Sequence, residues 1–226
     1  MAAQLRADRG RGERAGLNIQ QIIAKARTMD MNALTMQNVA NELHVDRKAL
    51  NYHVKDRQTL LELVARDTFA DGFGSEGIEN AATWQEACRA FAHSLTDGVL
   101  EMGRLVEHLW FGDASSVFAL KPIEALFAQF NRAGCADVDS IRLATMLSTL
   151  CLGHARDIVQ SGQVATRPRR DALKSDLETV DKSDFTHLVR IAAVGLSTYD
   201  RQQLDYSVEI FIQGSAQIIE AKASGK

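Results

Sequence analysis

Proline is nearly absent: the 226 residues hold two, Pro122 and Pro168. So few imino acids leave long stretches free to run as unbroken helix. Runs of alternating β-branched residues between turn signals are missing too, which argues against a sheet protein. Cysteine is scarce, with Cys88, Cys135 and Cys151 only. None forms a C-x-x-C pair and the number is odd, so neither a disulfide framework nor a thiolate zinc site is expected. Small buried apolar residues in a reducing compartment, the cytoplasm, are the expectation. The longest apolar-rich run, 141–152, is broken by Arg142 and is too short to cross a bilayer. The N-terminus lacks an apolar h-region, so no secretory signal is read, and Asp8 and Glu13 argue against a transit peptide. Catalytic signatures are missing as well: no G-x-S-x-G, no glycine-rich phosphate loop, no H-E-x-x-H and no cysteine with an evident base. An enzyme is not expected, and neither a cofactor nor a metal is implied.

Apolar residues make up 46% and charged residues 24%, enough for a chain of this length to bury a core without staples. The net charge of −3 is unevenly spread. Residues 1–70 carry eleven Lys/Arg against eight Asp/Glu, or +3, and the remainder fifteen against twenty-one, or −6. A basic head on an acidic body suggests a polyanion partner for the head alone. A nucleoid protein that coats DNA without sequence preference fits poorly, because such proteins neutralise phosphates throughout.

Apolar residues recur at i, i+3, i+4 and i+7 along most of the chain, so the fold is predicted to be all-α. Residues 1–16 are rich in Arg, Gly and Ala and read as an arm; Arg6, Arg9, Arg11 and Arg14 either enter a minor groove or belong to a plain tail. Helices are expected at 17–29, at 36–43 with Thr35 as N-cap, at 47–53 with Asp46 as N-cap, and from Asp56 onward. Gly72, Gly74 and Gly77 mark a boundary, separating a head over 17–71 from a body over 78–226. In the body, Thr83 and Glu86 form a capping box opening a helix to about 101, with further helices at 103–111, 120–133, 138–162, 184–196 and 201–221. The polar stretch 163–182 reads as a loop.

The helices at 36–43 and 47–53 are joined by His44-Val45-Asp46. Val45 and Leu50 are expected to point inward and lock the pair at a steep angle. The second helix is too short to stand alone, so packing must hold it. Its outward residues are Arg47, Lys48, Asn51, Tyr52 and His53, followed by Lys55. A donor-rich face almost free of acid suits a major groove, with cationic forks for guanine, an amide for adenine and donors for phosphates.

The stretch LTMQNVANELHVDRKALNYHVKDRQTLLELV, Leu34 to Val64, resembles the DNA-binding segment of the tetracycline-repressor (TetR) family of helix-turn-helix regulators. Residues 17 to about 70 fit the pattern of four helices in register. The resemblance implies a three-helix DNA-binding domain with a helical body that binds a small-molecule effector and forms a homodimer on double-stranded DNA carrying a palindromic operator. It implies base reading by Arg47, Lys48 and Ala49, phosphate contact by Thr35 and Lys55, and a DNA-facing position for Gln37. Two positions depart from the pattern. Asn51 stands where the family usually has Tyr, with Tyr52 beside it, and His44 replaces the usual turn glycine. A ligand-responsive repressor is the leading reading; a regulator without a ligand, or an activator, is the alternative.

The body carries effector candidates in Phe91, Trp110, Phe111, Phe118, Phe127, Phe130, Met146 and His154. Apolar walls with a few polar groups make such a site, and each of these residues also reads as ordinary core. The 138–162 helix is apolar nearly all round between Ile141 and Leu152, so it is expected to be covered on two sides. With the stripe Leu204, Val208, Phe211, Ile212, Ser215, Ile218 and Ile219 of the last helix, it is predicted to build a four-helix dimer interface. His93, Asp97 and Glu101 share one helical face; a solvated triad is preferred over a metal site.

Overall fold

The computed structural model describes residues 16–108, 116–162 and 168–223. Among them every regular element is a helix and no strand occurs, so the all-α class holds. The chain divides into two units between Asp67 and Thr68.

In the first unit α1 (Ile19–Arg27) starts on Asn18, whose side chain accepts from the Gln21 N–H while Gln21 returns a bond to the Asn18 N–H. That reciprocal cap places the start two residues later than the periodicity suggests. Helix α2 (Met36–Glu42) is capped by Thr35, whose hydroxyl accepts from Asn38 N–H at 3.2 Å. Helix α3 (Arg47–His53) is capped by Asp46, which accepts from Lys48 N–H at 2.7 Å. Asp56 opens α4 (Arg57–Gly72) by accepting from the Thr59 N–H and hydroxyl. Ile22, Val39, Leu50, Leu60, Leu61 and Val64 are buried, so each helix gives its apolar stripe to one small core.

The second unit is built round α6 (Trp84–Met102), which packs on α5 (Glu76–Glu79), α7 (Leu120–Arg132), α8 (Asp137–Ser161) and α11 (Arg201–Ala223). Its Thr83 cap is as expected, while Glu86 reaches back to the Ala82 N–H instead of closing on Thr83. Gly72 does more than punctuate the chain. A Cβ at this position would lie 2.6 Å from Gly98 Cα, so the two glycines let the end of α4 meet α6 backbone to backbone. Gln129, buried on α7, donates to the Ile78 and Ala81 carbonyls at 3.0 Å and satisfies the end of α5. Cys88, Cys135 and Cys151 are buried free thiols. Burial pushes Cys88 and Cys151 up to about 12, which makes them unreactive packing residues.

Two expectations need correction. After Met102 the chain continues as a 3-10 turn, Gly103–His108, rather than an α-helix, because Gly103 takes a positive φ of 52°. The supposed loop at 163–182 contains a helix, α9 (Pro168–Leu177), which starts on Pro168 and packs against α10 (Thr186–Ala193). Proline at a first helical position needs no N–H, so it opens this helix instead of breaking it. The segment reads as a loop because Leu173 and Leu177 supply too little apolar periodicity.

Candidate nucleic-acid interface

Three backbone features aim α3. Leu43 ends α2 and His44 follows with φ of +55°. The His44 N–H then bonds the Asn41 carbonyl at 3.1 Å and the Val45 N–H bonds the Ala40 carbonyl at 3.0 Å. This is a Schellman turn, with histidine in the left-handed position that glycine normally takes. Leu50 is fully buried and Val45 half-buried, so the turn and α3 are pinned from inside. Arg57 Nε donates to the Leu34 carbonyl at 2.7 Å and ties the start of α4 to the entry of α2. No sequence signal singles out that bond.

With α3 held this way, Arg47, Lys48, Ala49, Asn51, Tyr52, His53 and Lys55 are all exposed. Tyr52 is 88% exposed and meets the His53 ring edge-on, with centroids 5.3 Å apart. A tyrosine so open is unusual for a side chain with only a packing role. Two other cations of this unit contrast with those of α3. Lys25 pairs with Glu42 at 3.2 Å and Arg27 with Asp67 at 2.8 Å. Among the described residues Arg47, Lys48 and Lys55 form no ion pair.

Two depressions flank the helix. One of about 280 Å³ is lined by Thr35, Met36, Gln37, Arg47, Lys55, Asp56 and Arg57. It gathers Thr35, Gln37, Arg47 and Lys55, which are dispersed over 21 positions in the sequence, on one side of α3. The other, about 730 Å³, is lined by Gly16, Leu17, Val45, Asp46, Lys48, Ala49, Tyr52 and His53. Thr59 N–H holds the Asp56 carboxyl below the ordinary range, with smaller help from the Thr59 hydroxyl and Lys55. Its charge is therefore retained as the cap of α4.

The effector candidates do not converge in the same way. Phe91 and Phe130 lie in closed core, Phe91 edge-on to Phe73 and Phe130 tilted against Trp84. Phe127 is half-buried on α7. Met146 is 59% exposed and lines an apolar groove of about 470 Å³ between α8 and α11, with Leu143, Leu150, Ile210, Phe211 and Ile218. His154 lines a smaller polar groove of about 290 Å³ with Asp157, Thr198 and Gln203, which shares Leu150 and Ser207 with the first. Trp110, Phe111 and the Phe118 side chain lie outside the described residues, as do Arg6, Arg9, Arg11 and Arg14. On α8, Leu143, Leu147 and Cys151 are buried while Val138, Ile141 and Met146 stay open, so the single chain covers this helix on one side only. On the His93, Asp97 and Glu101 face, Glu101 is exposed, while the partly exposed His93 pairs with Asp205 and Asp97 with Arg201. No helix among the described residues is long and apolar enough to cross a membrane.

No protein-family model and no curated protein matches the chain. Solved structures do. The TetR family protein ActR of Streptomyces coelicolor, in complex with actinorhodin, is 21% identical; the match covers 91% of this chain and 99% of that one, with a TM-score of 0.70. SCO7222, a TetR from the same organism, matches at 18% identity over 88% of this chain and 97% of that one, with a TM-score of 0.67. BioQ of Mycobacterium smegmatis matches at 21% identity over 88% and 98%, with a TM-score of 0.58. BioQ bound to its double-stranded DNA operator gives a TM-score of 0.57 at 20% identity, covering 88% of this chain and 98% of that one. The helical order, the capped α2–turn–α3 pair and these likenesses together give the chain the fold of TetR family regulators.

Proposed function

We propose that the chain is a sequence-specific DNA-binding transcriptional regulator of the TetR type, and not an enzyme. One observation carries this reading: Arg47, Lys48 and Lys55 stand exposed, and without ion pairs among the described residues, round a short, capped helix that also presents Asn51, Tyr52 and His53. Cations kept off local carboxylates are free to meet phosphates and guanine edges. Arg47, Lys48 and Ala49 at the start of α3 read bases. Thr35, Gln37 and Lys55, which line one depression with Arg47, meet the sugar-phosphate backbone. Tyr52 takes the phosphate contact that Asn51 cannot make as tyrosine would.

The active form is a homodimer, acting in the cytoplasm. The open face of α8 and α11, with Met146, Ile210 and Ile218 exposed and Gly153 and Gly214 facing open space, is the self-complementary patch. Two α3 helices roughly 34–36 Å apart then meet successive major grooves of a palindromic operator. A small-molecule effector bound in the second unit releases DNA by favouring the conformation that does not fit the grooves. A coupling of about 1–3 kcal/mol suffices for a five- to 150-fold change.

The test is selection of binding sites from a random duplex library at physiological salt. An inverted repeat should emerge, and Arg47→Ala with Lys48→Ala should abolish its recovery. Recovery of no motif, with binding that merely decays as salt rises, would overturn sequence-specific recognition.

A further inference from the structure

We infer that the polar groove between the later turns of α8 and the start of α11 is a binding site for a small aliphatic amine. It gives the effector proposed for the second unit a site and a chemical class, and rests on that reading only in calling the amine an effector.

The groove holds about 290 Å³ and is walled by three segments. Leu150, His154 and Asp157 come from α8, Gln203 and Ser207 from α11, and Thr198 from the connection that leads into α11. The volume lies at the small end of ligand clefts, which run from roughly 300 to 1,000 Å³, and suits a small metabolite. All six residues are half-buried, and Leu150 is the one apolar side chain among them. Half-buried polar groups at the end of an apolar seam need water or a polar partner to match them.

The hydrogen bonds already made in the groove select that partner. Gln203 Nε2 donates to Ser207 Oγ at 3.1 Å, and Ser207 Oγ donates to the Gln203 carbonyl at 2.9 Å. The pair is thereby set, and Gln203 Oε1 is the amide atom left over. Among the described residues no hydrogen bond reaches Gln203 Oε1 or the Thr198 hydroxyl. Together with the Asp157 carboxylate they supply oxygen acceptors, and no Lys or Arg lines the groove. The N-terminus of α11 does not reverse this sign, because Asp200 caps it by accepting from the Gln203 N–H at 3.0 Å. An ammonium carries three donors and no acceptor, which complements these oxygens. A carboxylate would instead face Asp157. A metal ion is not matched either: among the described residues no three His, Cys, Asp or Glu side chains group to hold one.

The aliphatic part follows from the other edge. Leu150 and Ser207 also line the apolar groove that holds Met146 and Ile210. An ammonium on the oxygens therefore sets its methylenes against Leu150, where the two grooves meet. The second copy proposed to cover the apolar groove shuts that junction from water.

The experiment titrates the full-length protein, without DNA, with 1-aminohexane, 1-hexanol and hexanoate by isothermal calorimetry. The three share one chain and differ in head group. The amine should bind at least about tenfold more tightly than the alcohol, and hexanoate should not saturate. Asp157→Asn should weaken the amine by about tenfold, and Thr198→Val by roughly two- to tenfold. Asp176→Asn, at an exposed acid of α9 outside the groove, is the control and should leave the affinity unchanged. Thermal unfolding of each variant without amine shows that it folds. Thr198→Val removes a hydroxyl with no protein partner, so it carries the test even where Asp157→Asn does not fold. Equal affinity for amine and alcohol would overturn the site. So would an unaltered affinity in the folded groove variants, or no saturation by the amine below about 10 mM. Each of these is read without DNA, so it is distinct from a failure to select an operator, which would sink the regulator reading alone.

Discussion

His93 Nε2 on α6 lies 2.6 Å from Asp205 Oδ1 on α11, as the middle rung of a three-rung ladder. Arg89 clasps Glu209 through Nε and an Nη on one side, and Arg201 reaches Asp97 on the other. Arg89, His93 and Asp97 are spaced i, i+4, i+8, and Arg201, Asp205 and Glu209 repeat that spacing on a helix running the opposite way. The ladder fixes the register of the two helices. It also accounts for His93 and Asp97, whose spacing in the sequence resembles a ligand set: both are committed to side chains more than a hundred residues away.

The ladder's contribution to stability should be modest. Arg89 and Glu209 keep 42% and 44% of their side chains exposed, so solvent screens the pair. A double-mutant cycle with Arg89→Ala and Glu209→Ala, followed by denaturant unfolding, should give a coupling of about 0.2–1 kcal/mol. A coupling of several kcal/mol would mean that the pair anchors the unit rather than setting its register.

Acid should weaken the fold through named carboxylates. The Arg89 guanidinium holds Glu209 below its ordinary range, and Thr59 does the same for Asp56. A carboxyl with a depressed folded value binds fewer protons folded than unfolded. Its contribution is thus complete above the unfolded value and disappears as pH falls through the folded one. Stability should hold near neutrality and decline below roughly pH 4. Glu209→Gln should flatten that decline in unfolding measured from pH 6 downward; an unaltered acid limb would exclude the ion pair as its source.

His44 sits in a turn of the same type as the one that ends α7, where Gly134 has φ of +78° and the Cys135 N–H bonds the Phe130 carbonyl. A Cβ is disfavoured in this region of backbone space. His44→Gly should raise stability by about 0.5–1 kcal/mol, and His44→Val should lower it by a similar amount or more. Thermal unfolding of the three proteins checks this, and a glycine variant that melts lower would refute the account of strain.

Gly72→Ala should cost about 1–3 kcal/mol, since its Cβ would lie 2.6 Å from Gly98 Cα and a backbone cannot swing aside. Gly74→Ala, where nothing lies within 4 Å, is the control and should change stability by less than about 0.5 kcal/mol. Equal melting temperatures for the two variants would mean that the close approach can be relaxed.

Ile210 is 54% exposed on the open face of α11 and lines the groove with Met146. A carboxylate at its centre would be desolvated by a second copy but not by water. Ile210→Glu should therefore turn the homodimer proposed above into a folded monomer in sedimentation equilibrium, and weaken operator binding with it. A variant that stays dimeric would move the interface elsewhere.

Much of the first unit is local and was legible in the residues. Thr35, Asp46 and Asp56 cap the helices they precede, because a cap involves an oxygen and an N–H two or three positions away. The inward reading of Leu50 was local in the same way, and the residue is fully buried. Donor density on α3 could be read from seven consecutive residues. Tertiary structure decided what depends on distant partners. Arg57 bonding to Leu34, Gln129 bridging two carbonyls of the α5 end and Gly72 meeting Gly98 have no local signature. Phe91 and Phe130 are core while Met146 lines an open groove, although each is simply an apolar residue on an amphipathic helix. Periodicity tells which way a side chain faces on its own helix; what lies opposite is settled only when helices far apart in sequence pack together.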